Sequence, residues 1–166
     1  MLAAEPIHTA RLDLLPLRVE HAEEMAEALS DPALHTFIGG TPYSPTALRA
    51  RYERLVAGSP DPDRSWCNWV LYLREESRLV GTVQATVTGR DAEIAWVVGT
   101  PWQGKGLATE AARGLVGRLG RRHVTTVIAH IHPHHRASQS VAAAAGLTPT
   151  DQCQDGEVRW SLSLPG

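Results

Sequence analysis

Two glycines flank a lysine at Gly104-Lys105-Gly106, directly before a segment with helical spacing. Glycine permits tight backbone turns that bring several N–H groups to a common point. The N-terminus of the following helix adds unpaired N–H donors and a partial positive charge. The segment therefore suits a phosphate or pyrophosphate, with the charge of Lys105 beside it. A glycine turn that only caps a helix has the same composition, so the loop alone leaves both interpretations open.

Two known phosphate-binding loops do not fit this spacing. A Walker A loop needs Gly-Lys-Ser/Thr after a four-residue gap, whereas Lys105 is followed by Gly106. A Rossmann loop has a third glycine and lies in the first β-α unit, whereas this loop comes late in the chain. A different phosphate-ligand binder, such as a nucleotide-binding domain, is therefore an alternative that only the glycines support.

The segments before the loop predict strands and two helices. Residues 11–17 have the pattern of a strand, with Pro16 at an edge or a strand end. Apolar residues at helical spacing predict one helix over 19–29 and a second over 45–56, which Ser44 can cap. Strands at 66–73, 78–88 and 92–98 are joined by short turns, which predicts an antiparallel meander.

After the loop the apolar residues from Leu107 to Leu119 follow a helical period, which predicts an amphipathic helix of about four turns. A buried strand at 124–131, a short helix at 137–145 ended by Gly146, and one or two strands from Thr148 follow, with 158–164 the clearer. The β-α-β succession makes the strands at 94–98 and 124–131 parallel. We predict a single domain over 1–166 with an α/β (α+β) fold. Its mixed, largely antiparallel sheet has about six to seven strands, with helices on both faces.

Composition restricts the class of partner. The 166 residues carry a formal net charge of −2 and are 43% hydrophobic, which is typical of a globular domain and gives no basic excess for nucleic acid. No stretch has the length of an apolar membrane helix, and residues 1–10 lack the apolar core of a signal peptide. Cys67 and Cys153 are too few for a disulfide framework. We expect a cytoplasmic protein with no membrane or nucleic-acid partner.

The loop and its surroundings resemble one enzyme family. Gln103, Gly106 and Ala108 match the Q/R-x-x-G-x-G/A signature of the GNAT acetyltransferases. The segments at 9–14, 93–98 and 131–138, together with Gly146-Leu147, are similar to the ribosomal-protein-alanine acetyltransferase (RimJ/RimL-like) branch of that family. The resemblance covers nearly the whole chain and includes the order of the elements.

The resemblance implies an N-acetyltransferase that moves the acetyl group of acetyl-coenzyme A directly to a primary amine, with no acetyl-enzyme. The pyrophosphate would bind the amides from Gln103 to Ala108. The pantetheine arm would run along the strand that holds Trp96, in a gap where this strand splays from the strand at 124–131. His135 replaces an Asn that contacts the arm in the branch. The implied coenzyme-binding residues are Trp96, Val97, Val98, Gln103, Gly104, Lys105, Gly106, Leu107, Ala108, Thr109, His135 and Ser138.

Two residues are candidates for proton transfer. An amine attacks only when neutral, so a base or a water chain is needed at about pH 7. Glu93 lies before the loop, where a Glu is the base in several relatives; a solvated Glu paired with an arginine is the alternative. Many relatives use a late Tyr as the acid, but Ala142 stands at that position here. Ser138 is the remaining candidate, and it has the alternative role of an N-terminal helix cap.

The cluster His130, His132, His134 and His135 suggests a metal site, because imidazole is a common zinc ligand. No cysteine lies near these histidines and the family needs no metal, so we expect none.

The acceptor would lie near the connection at 35–43, with Trp66 and Trp69 as an aromatic wall or as core residues. Its identity stays open between a protein or peptide α-amine, which the branch favours, and a small amine. A catalytically idle acetyl-coenzyme A-binding module is the main alternative, supported by the missing late Tyr and by His135. The protein is expected to be a monomer or a homodimer.

Overall fold

The computed structural model describes residues 2–37 and 40–165. Its strands are β1 (Ile7–His8), β2 (Leu12–Pro16), β3 (Arg64–Leu73), β4 (Arg78–Thr88), β5 (Asp91–Val98), β6 (Thr126–Ile131), β7 (Thr148–Gln154) and β8 (Glu157–Ser163). They form one sheet in the order β1-β2-β3-β4-β5-β6-β8-β7. Neighbouring strands are antiparallel except β5 and β6, which are parallel. The mixed sheet and its meander are therefore confirmed.

The predicted number of six to seven strands was wrong, because the sheet has eight strands. Both edge strands have weak patterns. β1 contains only two residues, which is too few to show an alternation. β7 buries none of its side chains, so its sequence carries no apolar face. Pro16 is the last residue of β2, where it pairs only with β3 and leaves no ladder bond to β1 unmade.

Four α-helices lie in the described residues, and they cover both faces of the sheet. They are α1 (Ala22–Ala28), α2 (Pro45–Ala57), α3 (Leu107–Arg121) and α4 (Arg136–Ala144). The helical pattern at 19–29 is divided, because Val19–His21 form a 3-10 turn before α1 begins. The predicted cap of α2 is present: Ser44 Oγ accepts a hydrogen bond from the Ala47 N–H at 3.1 Å. None of these helices has the length and apolar character of a membrane span, over residues 2–37 and 40–165.

The side chains of β3 show which helices lie on each face of the sheet. Asn68 shares a cavity with α2, whereas its neighbour Cys67 shares a cleft with Leu119 of α3. Successive strand residues point to opposite faces, so α2 and α3 lie on opposite sides of the sheet. α1 packs against α2, and α4 packs against α3.

β5 and β6 run together for only a short distance. Their paired residues are Asp91 with Thr126, Ala92 with Val127, and Glu93 with Ile128. Over residues 94–98, β5 pairs with β4 alone. The strands therefore diverge where the resemblance implied a gap, and the backbone edge of β5 that faces the gap has no strand partner.

Candidate active site

The glycine loop has the backbone geometry that its sequence predicts. Gly104 and Gly106 have φ of 75° and 78°, in the left-handed region that glycine adopts without strain. α3 begins at Leu107, and the hydrogen bond that closes its first turn runs from the Glu110 N–H to the Gly106 carbonyl at 3.0 Å. The amides of residues 107–109 therefore have no carbonyl partner within the helix. This end of α3 is suited to bind an anion.

A cluster from the β1–β2 connection holds the loop and the first turn of α3 together. Arg11 Nη1 donates to the Lys105 carbonyl at 2.8 Å, and Arg11 Nε donates to Glu110 Oε1 at 2.7 Å. Thr9 Oγ1 donates to Glu110 Oε2 at 2.5 Å. Burial raises the pKa of Glu110, but the hydrogen bonds from Thr9 and Arg11 and the charge of Arg11 outweigh it and hold that pKa below its usual value.

The loop borders a cavity of about 520 Å³, which we call the loop cavity. This volume is in the range of small-molecule sites, roughly 300–1,000 Å³. Its lining contains all but one of the residues that the resemblance assigns to coenzyme binding; the exception is the exposed Lys105. The matching residues are Trp96, Val97, Val98, Gln103, Gly104, Gly106, Leu107, Ala108, Thr109, His135 and Ser138. The fold thus brings β5, the loop and the start of α4 around one space.

A second cavity of about 430 Å³, which we call the α2 cavity, lies on the α2 side of the sheet. Leu34, Trp96 and Val97 line both cavities. The two spaces therefore adjoin at the diverging end of β5. Two cavities that border the same residues are the arrangement that a group transfer between two substrates requires.

The α2 cavity includes part of the connection where the acceptor was expected. His35 and Tyr43 line it, whereas residues 38 and 39 of that connection fall outside the described residues. Trp69 is not part of an aromatic wall: it is 2% exposed, and its Nε1 donates to the Glu5 carbonyl at 2.8 Å, so it is a core residue. Trp66 is half-buried on the same face of β3 as Asn68.

Ser138 lies in the third position of α4 and is not its cap, because the N-cap residue is His135. Ser138 Oγ is 3.4 Å from His135 Nε2, and the His135 ring stacks on Phe37 with centroids 4.5 Å apart. Burial, and then the charge of His132, lower the pKa of His135 below its usual value, so this imidazole is neutral at neutral pH. The Ser138 hydroxyl therefore borders the loop cavity beside a neutral side chain.

Glu93 pairs with a histidine rather than with the arginine of the alternative interpretation. His130 Nδ1 lies 3.2 Å from Glu93 Oε2, with the two side chains 9% and 52% exposed. Glu93 lines neither cavity. Ala95, two residues along the same face of β5, lines the α2 cavity. Glu93 therefore lies on the same face of β5 as the α2 cavity, just outside its lining.

The other histidines do not join a common site with His130. The His134 N–H donates to His132 Nδ1 at 3.1 Å, and these two rings lie 5.4 Å apart. Within the part of the chain that the structure describes, no three His, Cys, Asp or Glu side chains come together as ligands for a metal.

The sequence matches the family model of the acetyltransferase (GNAT) domain over residues 11–148. The chain belongs to the GNAT acetyltransferase family. It is therefore an acetyl-coenzyme A-dependent acyltransferase. The match includes the whole glycine loop and both strands that border the gap.

Solved GNAT structures share the fold along almost their full length. An acetyltransferase from Bacillus anthracis is 20% identical, with a TM-score of 0.77 over 96% of this chain and 98% of that one. RimL, a ribosomal L7/L12 alpha-N-protein acetyltransferase in complex with coenzyme A, is 14% identical, with a TM-score of 0.80 over 96% and 98%. The aminoglycoside acetyltransferase AAC(6')-Ib in complex with coenzyme A is 17% identical, with a TM-score of 0.75 over 92% and 94%.

At these identities the similarity shows the fold alone, and the RimJ/RimL-like branch stays a prediction. A search of curated proteins gave no match.

Several residues around the two cavities have no specific signal in the sequence. Arg11 and Glu110, which fix the loop, are 99 positions apart, and no local pattern links them. The only sequence signal was an acid in the first turn of α3, which is common at helix N-termini. Arg51 of α2 lines the α2 cavity and had no signal beyond its place in an amphipathic helix.

Proposed function

We propose that this GNAT protein transfers the acetyl group of acetyl-coenzyme A directly to a primary amine. The observation that carries the proposal is the junction of two cavities at Leu34, Trp96 and Val97, one of which is bordered by the glycine loop. The bound coenzyme A in RimL and AAC(6')-Ib supports assigning acetyl-coenzyme A to the loop cavity. The α2 cavity is then left for the acceptor.

On the donor side, two sets of backbone groups are available to the coenzyme. The amides of residues 107–109, with the positive end of α3, bind its pyrophosphate. The free edge of β5 at 94–98 offers N–H and C=O groups to the amides of the pantetheine arm, as a sheet edge does to an added strand. Arg11 and Glu110 keep the loop in the required shape.

At the junction, the amine nitrogen bonds to the carbonyl carbon of the thioester as the C–S bond breaks. Glu93 takes the proton that the amine loses, directly or through a water, and His130 holds the carboxylate in position. The Ser138 hydroxyl donates a hydrogen bond to the leaving thiolate, which takes its proton from solvent. His135, which is neutral, orients that hydroxyl without competing for the site as a cation.

One observation favours the alternative of an idle acetyl-coenzyme A-binding module. Glu93 is 52% exposed and lines neither cavity. Its carboxylate therefore reaches an amine in the α2 cavity only by extending its side chain or through a bridging water. A binding module keeps the loop and the coenzyme but has no turnover. The two functions therefore differ in thiol release and not in coenzyme affinity.

Coenzyme binding is tested by thermal unfolding. Acetyl-coenzyme A at millimolar concentration is expected to raise the Tm, because a ligand that binds only the folded protein stabilises it by RT ln(1 + [L]/Kd). NAD and ATP at the same concentration are the controls and should leave the Tm unchanged. No shift with acetyl-coenzyme A, or an equal shift with ATP, contradicts the assignment of the loop cavity.

Transfer is tested by an acceptor screen that follows free thiol release. Peptides with a free α-amine, including an N-terminal alanine as the RimJ/RimL-like branch suggests, are compared with small primary amines. Release that depends on both the amine and acetyl-coenzyme A supports the transferase. A protein that binds the coenzyme but releases no thiol with any amine is the idle module.

A further inference from the structure

The α2 cavity contains a cation that lacks an acidic partner. Arg51 is half-buried and lines the cavity, and its Cζ lies 5.8 Å from the centre of the Tyr43 ring. Among the described residues, the lining contains no Asp or Glu. A guanidinium presents five N–H donors and a permanent positive charge, so this group is suited to bind an anion.

The groups nearest to Arg51 in the helix do not neutralise it. Glu53 is the only acid of α2, and its Oε1 lies 3.8 Å from Arg49 Nε. Residues two positions apart lie on different faces of a helix, so Glu53 points away from Arg51. Tyr52 is 3% exposed, and burial raises its pKa to about 12 despite the nearby Arg51 charge, so its hydroxyl stays neutral.

The rest of the cavity is chiefly apolar. Leu29, Leu48 and Leu55 supply much of the wall, and Asn68 and Gln84 place amides on the sheet side. Val97 of β5 lies where this cavity adjoins the loop cavity, and Ala95 of the same strand lines the α2 cavity alone. A ligand that fills this space therefore contacts mainly apolar side chains and meets the guanidinium of Arg51 in the same lining.

We propose that the acceptor is a small amine that carries an anionic group, a carboxylate or a phosphate-like group, on an apolar body. Arg51 binds the anion, the leucines contact the apolar body, and the amine lies toward Ala95 and the thioester. This inference rests on the proposed transferase function and narrows its acceptor. A polycationic acceptor is disfavoured by the same guanidinium, since like charges in a cavity repel.

The experiment measures acceptor affinity for the protein loaded with coenzyme A, by isothermal titration calorimetry, so that it does not depend on turnover. The ligands are several series built on linear, branched and aromatic ω-amino acids, in which the apolar body separates the amine from the anion, and each series comprises the free acid, the uncharged amide, the decarboxylated amine and the aminophosphonate. The acid or the aminophosphonate of at least one series should bind about tenfold or more tighter than its amide and amine, as one charge-assisted contact implies. The comparison of acid with aminophosphonate identifies which anion fits.

Arg51→Met should abolish this preference, whereas the matched variant Arg54→Met should keep it. Arg54 lies on the same helix and is exposed, so both variants remove one charge from α2. Equal affinities for acid and amine, equal effects of the two variants, or no binding by any ligand would overturn the inference. Thiol release with the uncharged amines as efficient as with the acids would also overturn it, while the transferase function would stand. Preferential binding of acids without thiol release would instead overturn the transferase function.

Discussion

The loop cavity and the α2 cavity adjoin at β5 but are built in different ways. The loop cavity takes most of its lining from one continuous stretch, 96–109, completed by α4 and by residues of the segment 33–37. The α2 cavity takes its lining from α1, α2, β3, β4, β5 and the connections between them. One cavity therefore depends largely on a single segment, which includes the free amides at the start of α3, and the other depends on side chains from many segments.

The two constructions respond differently to sequence change. Backbone amides do not depend on side-chain identity, so the loop tolerates substitution outside its glycines. Side chains in a cavity can change one at a time and alter the ligand without altering the fold. RimL and AAC(6')-Ib, at 14% and 17% identity, share this fold while their names give a ribosomal protein and an aminoglycoside as acceptors.

The largest expected effect is on the loop cavity. Valine at Gly106 has to adopt φ of 78°, and its Cβ comes within 3.4 Å of Arg11 Nη2. We expect Gly106→Val to lower affinity for acetyl-coenzyme A by about 100-fold or more, because more than one amide contact to the charged pyrophosphate is lost. The loss is measured as the disappearance of the coenzyme-induced Tm shift.

Gly89→Val is the matched control, since Gly89 has φ of 61° in the β4–β5 turn and open space around its Cα. This variant should lose stability in the same way but keep the coenzyme shift. A normal shift in Gly106→Val, or an equal loss in Gly89→Val, contradicts the binding role of the loop.

The next largest effect is expected on kcat, at Glu93 of β5. Glu93→Gln removes the proposed base, and kcat should fall about 100-fold at neutral pH while the affinity for acetyl-coenzyme A is unchanged. The loss should shrink at alkaline pH, where more of the amine is already neutral. Asp91→Asn, an exposed carboxylate on the same face of β5, is the control and should retain activity. Full turnover of Glu93→Gln across roughly pH 6–9 would show that Glu93 is not the base.

A smaller effect is expected where the leaving thiolate meets α4. Ser138→Ala should lower kcat about tenfold, because a hydroxyl within hydrogen-bonding reach of the thiolate is lost. Ser140→Ala is the control, since Ser140 is exposed on the same helix. The kcat and the Tm of both variants are compared. Equal kcat values would remove Ser138 from the mechanism.

The smallest effect should be on stability, at the cluster that holds the loop. Glu110→Gln is expected to lower the free energy of unfolding by about 1–2 kcal/mol at neutral pH, through weaker hydrogen bonds to Thr9 and Arg11. The folded pKa of Glu110 is lowered, so this stabilisation is complete above the unfolded pKa of about 4.3 and is lost as pH falls through the folded pKa. The free energy of unfolding is measured with denaturant for the unchanged protein and for Glu110→Gln, and the difference between them should therefore shrink in acid.

Glu53→Gln is the matched control for that change. Glu53 is 61% exposed and lies 3.8 Å from Arg49, and exposed pairs of this kind contribute less than about 0.5 kcal/mol. An effect of Glu110→Gln no larger than that of Glu53→Gln would mean that the cluster does not stabilise the loop.

Most of the fold followed from local patterns, and the failures have local causes. The meander β3–β5, the long helix α3 and the cap of α2 at Ser44 were predicted because each has a strong period or a capping residue within a few positions. The strand count failed at β1, which contains only two residues, and stayed open at β7, which buries none of its side chains. The alternative role of Ser138 as a helix cap was wrong because Ser138 lies within the first turn of α4, whose N-cap is His135.

By itself, the sequence determined the glycine loop, because the left-handed conformation at Gly104 and Gly106 and the free amides of α3 are properties of adjacent residues. Only the tertiary structure decided what surrounds that loop. The contact of Arg11 with Glu110, the junction of the two cavities at Trp96, and the unpaired charge of Arg51 each join segments far apart in the chain. Backbone preference acts over a few residues, whereas packing and charge act over distance in space, so the glycine loop could be predicted from the sequence and the α2 cavity could not.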